Sequence, residues 1–486
     1  MNDHDAIDEL TLPGHPLPSG RRVPIELLML AAPIIAAMIS RTVMSFVDFV
    51  MVSQLGTEAQ AAIMPAGILL FCVISFGMGT LSVINTFVSQ SLGRGRLADC
   101  SAYAWQGLYL SLAIGLILLP AWFVMPALFA WVGHAPEVQR MEVAYVQIGL
   151  LSLAPTLAAL ALTDFFNGLH RPAVGFWTAL ISNIFNAVAN YALIFGHFGF
   201  PALGIAGAAW GTTAAVVLHT LLLLAWMLRP SLHARYQSRH TWRPSAARLR
   251  RILWFGLPAG AQFTIDVVAF TIFTLLLVGR FGTAQLAAHN LVFKFLEISF
   301  MPTVGLGTAV TAAVGKALGQ KRPDLARVIV RWATLFAVAY MGAIGLGYVV
   351  FNHSLPGLLS DDPEVIRWAG RLLYLCALFQ IFDGLNIVYV HALRGAGDNH
   401  WPAAVGALGA GGILVGGGYL TVALWPGMEA LGPWAAATVY IIALGLTMWA
   451  RFASGAWQRI DLLGPEAQTP EPVAVETDAE RSETPD

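Results

Sequence analysis

Six ionisable side chains lie deep inside long apolar stretches of this sequence: Arg41, Asp48, Asp266, Lys294, Glu297 and Asp383. Charge is costly in such surroundings, and residues kept there usually serve function. A carboxylate taken out of water either finds a cation or takes up a proton. Asp48 therefore has two readings: a cation or proton site, or a structural ion pair with Arg41, seven residues earlier on the same helical face. Asp266 and Asp383 have no base on their own stretch to neutralise them, because Lys294 belongs to another and Arg394 falls toward an end. Lys294 and Glu297 stand at i and i+3 and read as an intrahelical pair. Asn186 and Asn190 are one helical turn apart and share a face. Amide oxygens beside a carboxylate suit a small hard cation, and the same amides also serve as hydrogen-bonding glue between helices. Pro33, fifteen residues before Asp48, removes a helix hydrogen bond, so a bend is expected there and makes Pro33 a candidate hinge. Asp164 falls near the end of its stretch and reads as hydrated, and His219 and His391 read as packing residues.

The elements that must carry these residues follow from hydropathy. Crossing the hydrocarbon takes about 20 apolar residues as a helix. Twelve spans answer to that length, near 24–52, 60–88, 102–126, 140–166, 173–196, 203–228, 252–279, 286–316, 328–351, 366–393, 402–424 and 433–453. They do not alternate in polarity, which excludes barrel strands. With the N-terminus inside, twenty Lys and Arg residues fall on the inner side and four on the outer. That asymmetry fits the positive-inside rule and places both termini in the cytoplasm.

The basic connection 229–251 divides the chain into an N-lobe, 24–228, and a C-lobe, 252–453, flanked by a tail over 1–23 and a Pro/Glu/Thr-rich tail over 454–486 that reads as disordered. The halves repeat. Gly56-Thr57, Ala61-Ala62, Gly79 and Leu92-Gly93 recur at a constant offset of 226 as Gly282-Thr283, Ala287-Ala288, Gly305 and Leu318-Gly319. Pro33 and Pro258 precede the two blocks. Six spans per half keep both repeats in the same orientation, so the fold class is all-α with two parallel six-helix bundles, an architecture of transporters with a site between the halves.

Composition closes other routes. Only 11% of residues are charged and 57% are apolar, too few charges to cover a soluble surface. The net charge of −1 offers no basic field for nucleic acid. Three scattered cysteines make neither a disulfide framework nor a metal site. The acidic first residues are the wrong flank for a secretory signal. No Gly-rich Lys/Ser loop is present and no cofactor is called for, so the chain reads as no enzyme, and pumping would draw on an ion gradient.

At these residues the chain resembles the multidrug and toxic compound extrusion (MATE) family, in its NorM-type bacterial branch, over roughly residues 24 to 453. "SFVDFVMVSQLG" resembles the first-helix acidic motif and puts Asp48 at the cation-coupling aspartate. "NAVANYALIFG" carries over Asn186 and Asn190, and "GIAGAAWGTT" carries over Thr212. "LPAGAQFTIDV" places Asp266 where NorM-type proteins usually have Glu, and "FDGLNIVYVHALRGAGD" carries over Asp383. The resemblance implies two six-helix bundles around a central cleft in a bacterial inner membrane, and a monomer that exports cationic amphipathic drugs in exchange for Na⁺ or H⁺. Asp48, Asn186, Asn190 and Thr212 would hold the ion, and Asp266 with Asp383 would serve the drug's charge or a second cation. A lipid-linked oligosaccharide flippase of the same superfamily and a non-transporting membrane scaffold are the rival readings. The interior acids speak against the first, the repeats and unpaired acids against the second.

Overall fold

The computed structural model describes residues 22–464. Tail segments 1–21 and 465–486 lie outside the described residues. Among those described there is no strand, and the helices fall into twelve spans. The first six are α1 (Arg22–Ser53), α2 (Thr57–Leu81, continued by Val83–Gly93), α3 (Leu97–Leu118, followed by Ala121–Val132), α4 (Pro136–Leu151 and Leu153–Gly168), α5 (Pro172–Phe195) and α6 (Ile205–Met227). The second six are α7 (Ala246–Ile272), α8 (Thr283–Gly319), α9 (Pro323–Val350), α10 (Pro363–Gly395), α11 (His400–Gly409, continued through Gly418–Leu424) and α12 (Leu431–Ala453). Eleven of these helices are long and apolar enough to cross a membrane alone, and α4 qualifies when its two halves, bent by 48°, count as one.

Local chemistry sets many of the ends. Proline opens α4, α5, α9 and α10, where its fixed φ suits the first turn and its missing N–H costs nothing. Ser245 caps α7, its Oγ accepting from the Arg248 N–H at 3.5 Å. Hence α7 begins at 246, inside the connection expected over 229–251, and that connection also holds a short helix, Pro230–Tyr236. It is folded onto α3: Trp105 Nε1 donates to the Ser238 carbonyl at 2.7 Å, and Arg248 pairs with Asp99 at 2.7 Å.

The repeat is visible in the backbone. Gly56 and Gly282 precede α2 and α8 with φ of 107° and 100° and ψ of 176° and 173°, a region that only glycine enters freely. Packing repeats it too. A Cβ on Gly79 of α2 would meet the Ala259 carbonyl of α7 at 2.5 Å, and one on Gly305 of α8 would meet Ile35 of α1 at 2.7 Å. Gly93 and Gly319, equivalent positions, touch each other: a Cβ on either would lie within 2.9 Å of the other's Cα. Equivalent residues meet only on the axis that relates the halves.

That axis contact lies at the end of the molecule where most of the basic residues gather, and there the two lobes share their cores. Val23, Leu27, Ala31 and Ile34 of α1 pack in the core of the second lobe with Leu306, Ala309 and Val310. Ile252 of α7 packs in the core of the first lobe with Phe87, Tyr103 and Phe165. The chain beyond α12 also crosses over. Leu462 and Leu463 are buried in the first lobe's core, Asp461 pairs with Arg94 at 2.7 Å, and Arg251 Nη1 donates to the Leu463 carbonyl at 2.9 Å. Residues 454–464, expected to be part of a disordered tail, are thus an ordered strap across both lobes, because two leucines supply an apolar anchor that composition averaging hides. The interlobe contacts named here run from the middle of the spans, where Ser75 Oγ meets Thr264 Oγ1 at 3.5 Å, to the basic end.

Candidate functional site

The first site is built by α1, α5 and α6. Asn190 is fully buried and donates from Nδ2 to Asp48 Oδ1 at 2.7 Å. Asn186, one turn earlier, reaches the same carboxylate. In one amide orientation its Nδ2 donates to Thr212 Oγ1 at 3.4 Å. In the other, Nδ2 donates to Asp48 Oδ1 at 3.1 Å and Oδ1 accepts from the Thr212 N–H at 3.2 Å. The second orientation satisfies both ends of the amide and is the one the network selects. Two amide donors then hold the Asp48 carboxyl group. Tyr145 of α4 also lies within electrostatic range of Asp48.

Asn190 Oδ1 is buried and has no partner. A buried acceptor left open beside a carboxylate is costly, and it is also what a hard cation needs. If the two amides turn by half a rotation, their oxygens join Asp48 and Thr212 in an all-oxygen set. Among the described residues no three His, Cys, Asp or Glu side chains come together. A cation at Asp48 would therefore be met by one carboxylate with amide and hydroxyl oxygens, ligands for Na⁺ rather than for a transition metal.

Sequence reasoning missed Gly211 here. A Cβ at Gly211 would lie 2.0 Å from Asn190 Oδ1, so only glycine on α6 leaves the amide its place. The signal was present in "GIAGAAWGTT", but its meaning depends on which helix faces α5. The ion pair between Asp48 and Arg41 is not formed among the described residues, because the amides of α5 occupy the carboxylate instead. Helix α1 runs unbroken through Pro33. The irregular turns lie elsewhere, in π-helical segments at 273–278 and 410–417 and at the bend in α4.

The second site joins α7, α10 and α12. Tyr440 Oη donates to Asp266 Oδ1 at 3.4 Å, and Asp383 lies within electrostatic range of the same tyrosine. The structure thus places an aromatic hydroxyl that sequence reasoning did not identify on Asp266. Gly409 makes the room, since a Cβ there would stand 2.8 Å from the Tyr440 ring. No base of α7 itself faces Asp266, as expected, but one comes from another helix. Arg394 of α10 lies within its electrostatic range and donates from Nη2 to Gln262 Oε1, one turn below Asp266, at 3.3 Å. Lys294 and Glu297 form the expected intrahelical pair at 3.0 Å.

Between the lobes, toward the basic end, a cavity of about 50 Å³ is lined by Asn85, Thr86, Asp164, Thr308, His391 and Arg394, among others, room for a water or two. Asp164 therefore faces the interlobe seam rather than the membrane surface. Polar bonds close that seam around it: Thr86 Oγ1 donates to the Arg394 carbonyl at 3.0 Å and Gln90 Nε2 to the Gly395 carbonyl at 3.0 Å.

Known proteins resemble this arrangement throughout. The family model described as MatE matches the chain twice, over residues 33–192 and 258–420. The chain is 31% identical over 382 residues to the "Probable multidrug resistance protein NorM" of Rhizobium meliloti (strain 1021), covering 77% of this chain and 81% of that protein. It is likewise 31% identical over 456 residues to the protein of the same name from Burkholderia mallei, covering 90% and 94%. Among solved structures, an outward-facing multidrug resistance MATE transporter of the MOP superfamily superposes with a TM-score of 0.82 at 17% identity, over 92% of this chain and all of that one.

Proposed function

This chain belongs to the MatE family, and from that premise we propose that it is a secondary multidrug efflux antiporter of a bacterial inner membrane. It exports cationic amphipathic compounds in exchange for Na⁺ or H⁺ by alternating access. The observation that carries the reading is the cluster of Asp48, Asn186, Asn190 and Thr212, a single acid held by turnable amides inside a span. The basic end faces the cytoplasm by the positive-inside rule. The close contacts between the lobes at that end support reading this state as one that opens outward.

In this reading the outward state exposes Asp48 to the outer medium. A proton neutralises the carboxylate directly, while Na⁺ requires both amides to turn their oxygens inward. Either event removes the negative charge that holds a cationic drug, and the drug leaves. Ion and drug are then linked reciprocally: each lowers the other's affinity by the same factor. The lobes change state only as far as the ligand's affinities for the two states differ. Asp266, bonded to Tyr440, and Asp383 provide a second acidic locus for drug charge or for another cation.

The test is drug efflux in proteoliposomes with an imposed Na⁺ or proton gradient. Asp48→Asn is expected to insert and fold normally and to export nothing. Full efflux by that variant would remove Asp48 from the mechanism. Comparing a Na⁺ jump with a pH jump in the same vesicles identifies the coupling ion.

A further inference from the structure

The interlobe cavity toward the basic end is walled by groups that the antiport described above does not use. Asn85 and Asp164 line it from the first lobe, His391 and Arg394 from the second. Direct bonds hold its walls in place. Asn85 Nδ2 donates across the seam to the Thr308 carbonyl at 3.4 Å, and Thr311 Oγ1 donates to the His391 carbonyl at 3.0 Å. The imidazole itself is pinned, because a Cβ on Gly307 would stand 2.6 Å from its Nδ1.

The side-chain heads are less well served. Asn85 is 2% exposed, and its Oδ1 is buried without a partner. His391 Nδ1 lies 2.8 Å from the Ile387 carbonyl, so the ring proton sits on Nδ1 and donates there. That leaves Nε2 an acceptor. Asp164 makes no ion pair among the described residues. Arg394 already gives Nη2 to Gln262 Oε1. Asn85 Oδ1 and His391 Nε2 thus belong to opposite lobes and both accept. Two acceptors cannot bond each other, and a buried acceptor left open is costly. Water has two donors and two acceptors, and a polar cavity of about 50 Å³ holds one or two molecules.

We propose that this cavity is a water site that locks the lobes together at the basic end. Ordered water joins Asn85 Oδ1 and Asp164 of the first lobe to His391 and Arg394 of the second. Asp164 is a positioning residue in this lock: its carboxyl anchors the water from the first lobe. The inference rests on the export reading, which makes this end the inner gate, so the lock breaks whenever the protein turns inward. A wet contact suits that task, since bulk water replaces each bond as the seam parts.

The test measures the sealed fraction of the full chain in nanodiscs. Spin labels at Arg171 and Arg327, exposed on the first and second lobes, report the distance across the basic end. Asp164→Leu keeps the side chain's size and removes its hydrogen bonds. It is expected to lower the ratio of sealed to open molecules about ten-fold, the lower end for one bond to a charged group. Asp164→Asn still bonds water and should recover most of the wild-type ratio. His391→Phe should act like Asp164→Leu, and the double variant should shift the ratio no further than the stronger single one, because either change loses the same water. A high-resolution structure of the sealed state should show the water. Unchanged distances in Asp164→Leu, equal shifts for Leu and Asn, additive effects in the double variant or a dry cavity would each overturn the lock. So would an Asp164→Leu protein that melts earlier in detergent yet keeps wild-type distances. A wild-type protein with no sealed population at this end would instead count against the outward-opening reading itself.

Discussion

Asn190 Nδ2 donates to Asp48 Oδ1 across 2.7 Å, joining two helices whose residues stand 142 positions apart in the chain. Bonds to an ionised acceptor are about twice as strong as neutral ones. Removing the amide leaves the carboxylate short of a donor in the state described here. Asn190→Ala should therefore lower ion-driven drug efflux by about ten- to a hundred-fold, matching the roughly 1.5–3 kcal/mol of a hydrogen bond to a charged group. The check is the initial efflux rate at fixed protein density in vesicles.

Gly211 bears on the same contact from the opposite side. Its missing Cβ would lie 2.0 Å from Asn190 Oδ1. Gly211→Ala should displace the amide and cost about 1–3 kcal/mol of stability through overpacking. Thermal unfolding in detergent measures the second effect, and the apparent affinity for the coupling ion measures the first. A variant with unchanged ion affinity would mean that α6 yields and the amide stays.

The axis contact of Gly93 and Gly319 sets how tightly the basic end can close. A Cβ on Gly93 would lie 2.2 Å from the Lys316 carbonyl, and one on Gly319 would lie 2.3 Å from the Gln90 carbonyl. Backbone atoms cannot swing aside. Gly93→Val should hold the lobes apart at this end and depopulate the sealed state. Spin labels placed across the seam should report a longer distance, and efflux should fall even though the acid clusters are intact.

The strap after α12 predicts a stability effect far from any acid. Leu462 and Leu463 are buried in the first lobe although the helix they follow, α12, belongs to the second. Leu462→Ala should lower unfolding stability by about 2–5 kcal/mol, the range for a buried leucine. The Arg94 guanidinium also holds the Asp461 carboxyl below its ordinary range. Its contribution is present above the ordinary carboxylate range and is lost as pH falls through the lowered value. Acidification should therefore loosen the strap before it affects the spans, and protease access around residue 461 would show it.

Much of the fold was legible because its signals are local. Twelve apolar runs, their end prolines and the basic connections were readable one stretch at a time, and the 226-residue repeat survived in Gly56 and Gly282 because no other residue holds their φ easily. The acids stood out for the same reason, each being an isolated charge in apolar surroundings. Partners were not legible. Arg394 falls toward the end of α10 and is remote from Asp266 when judged along that helix alone, and nothing local in the sequence marks Tyr440. The residues after Ala453 were averaged into a tail by their composition, and the two leucines that anchor them did not register.

By itself, the sequence determined the spans, the two-fold repeat and which charges fall inside the apolar stretches, because hydropathy and helical spacing act within about twenty residues. The tertiary structure alone decided that Asp48 pairs with the α5 amides rather than with Arg41, and that the basic-end halves of α1 and α7 pack in opposite lobes. Those outcomes depend on which helix faces which. That choice is made by close contacts between residues far apart in the chain, such as Gly79 against Ala259 and Gly211 against Asn190, where a single methyl group would change the neighbour.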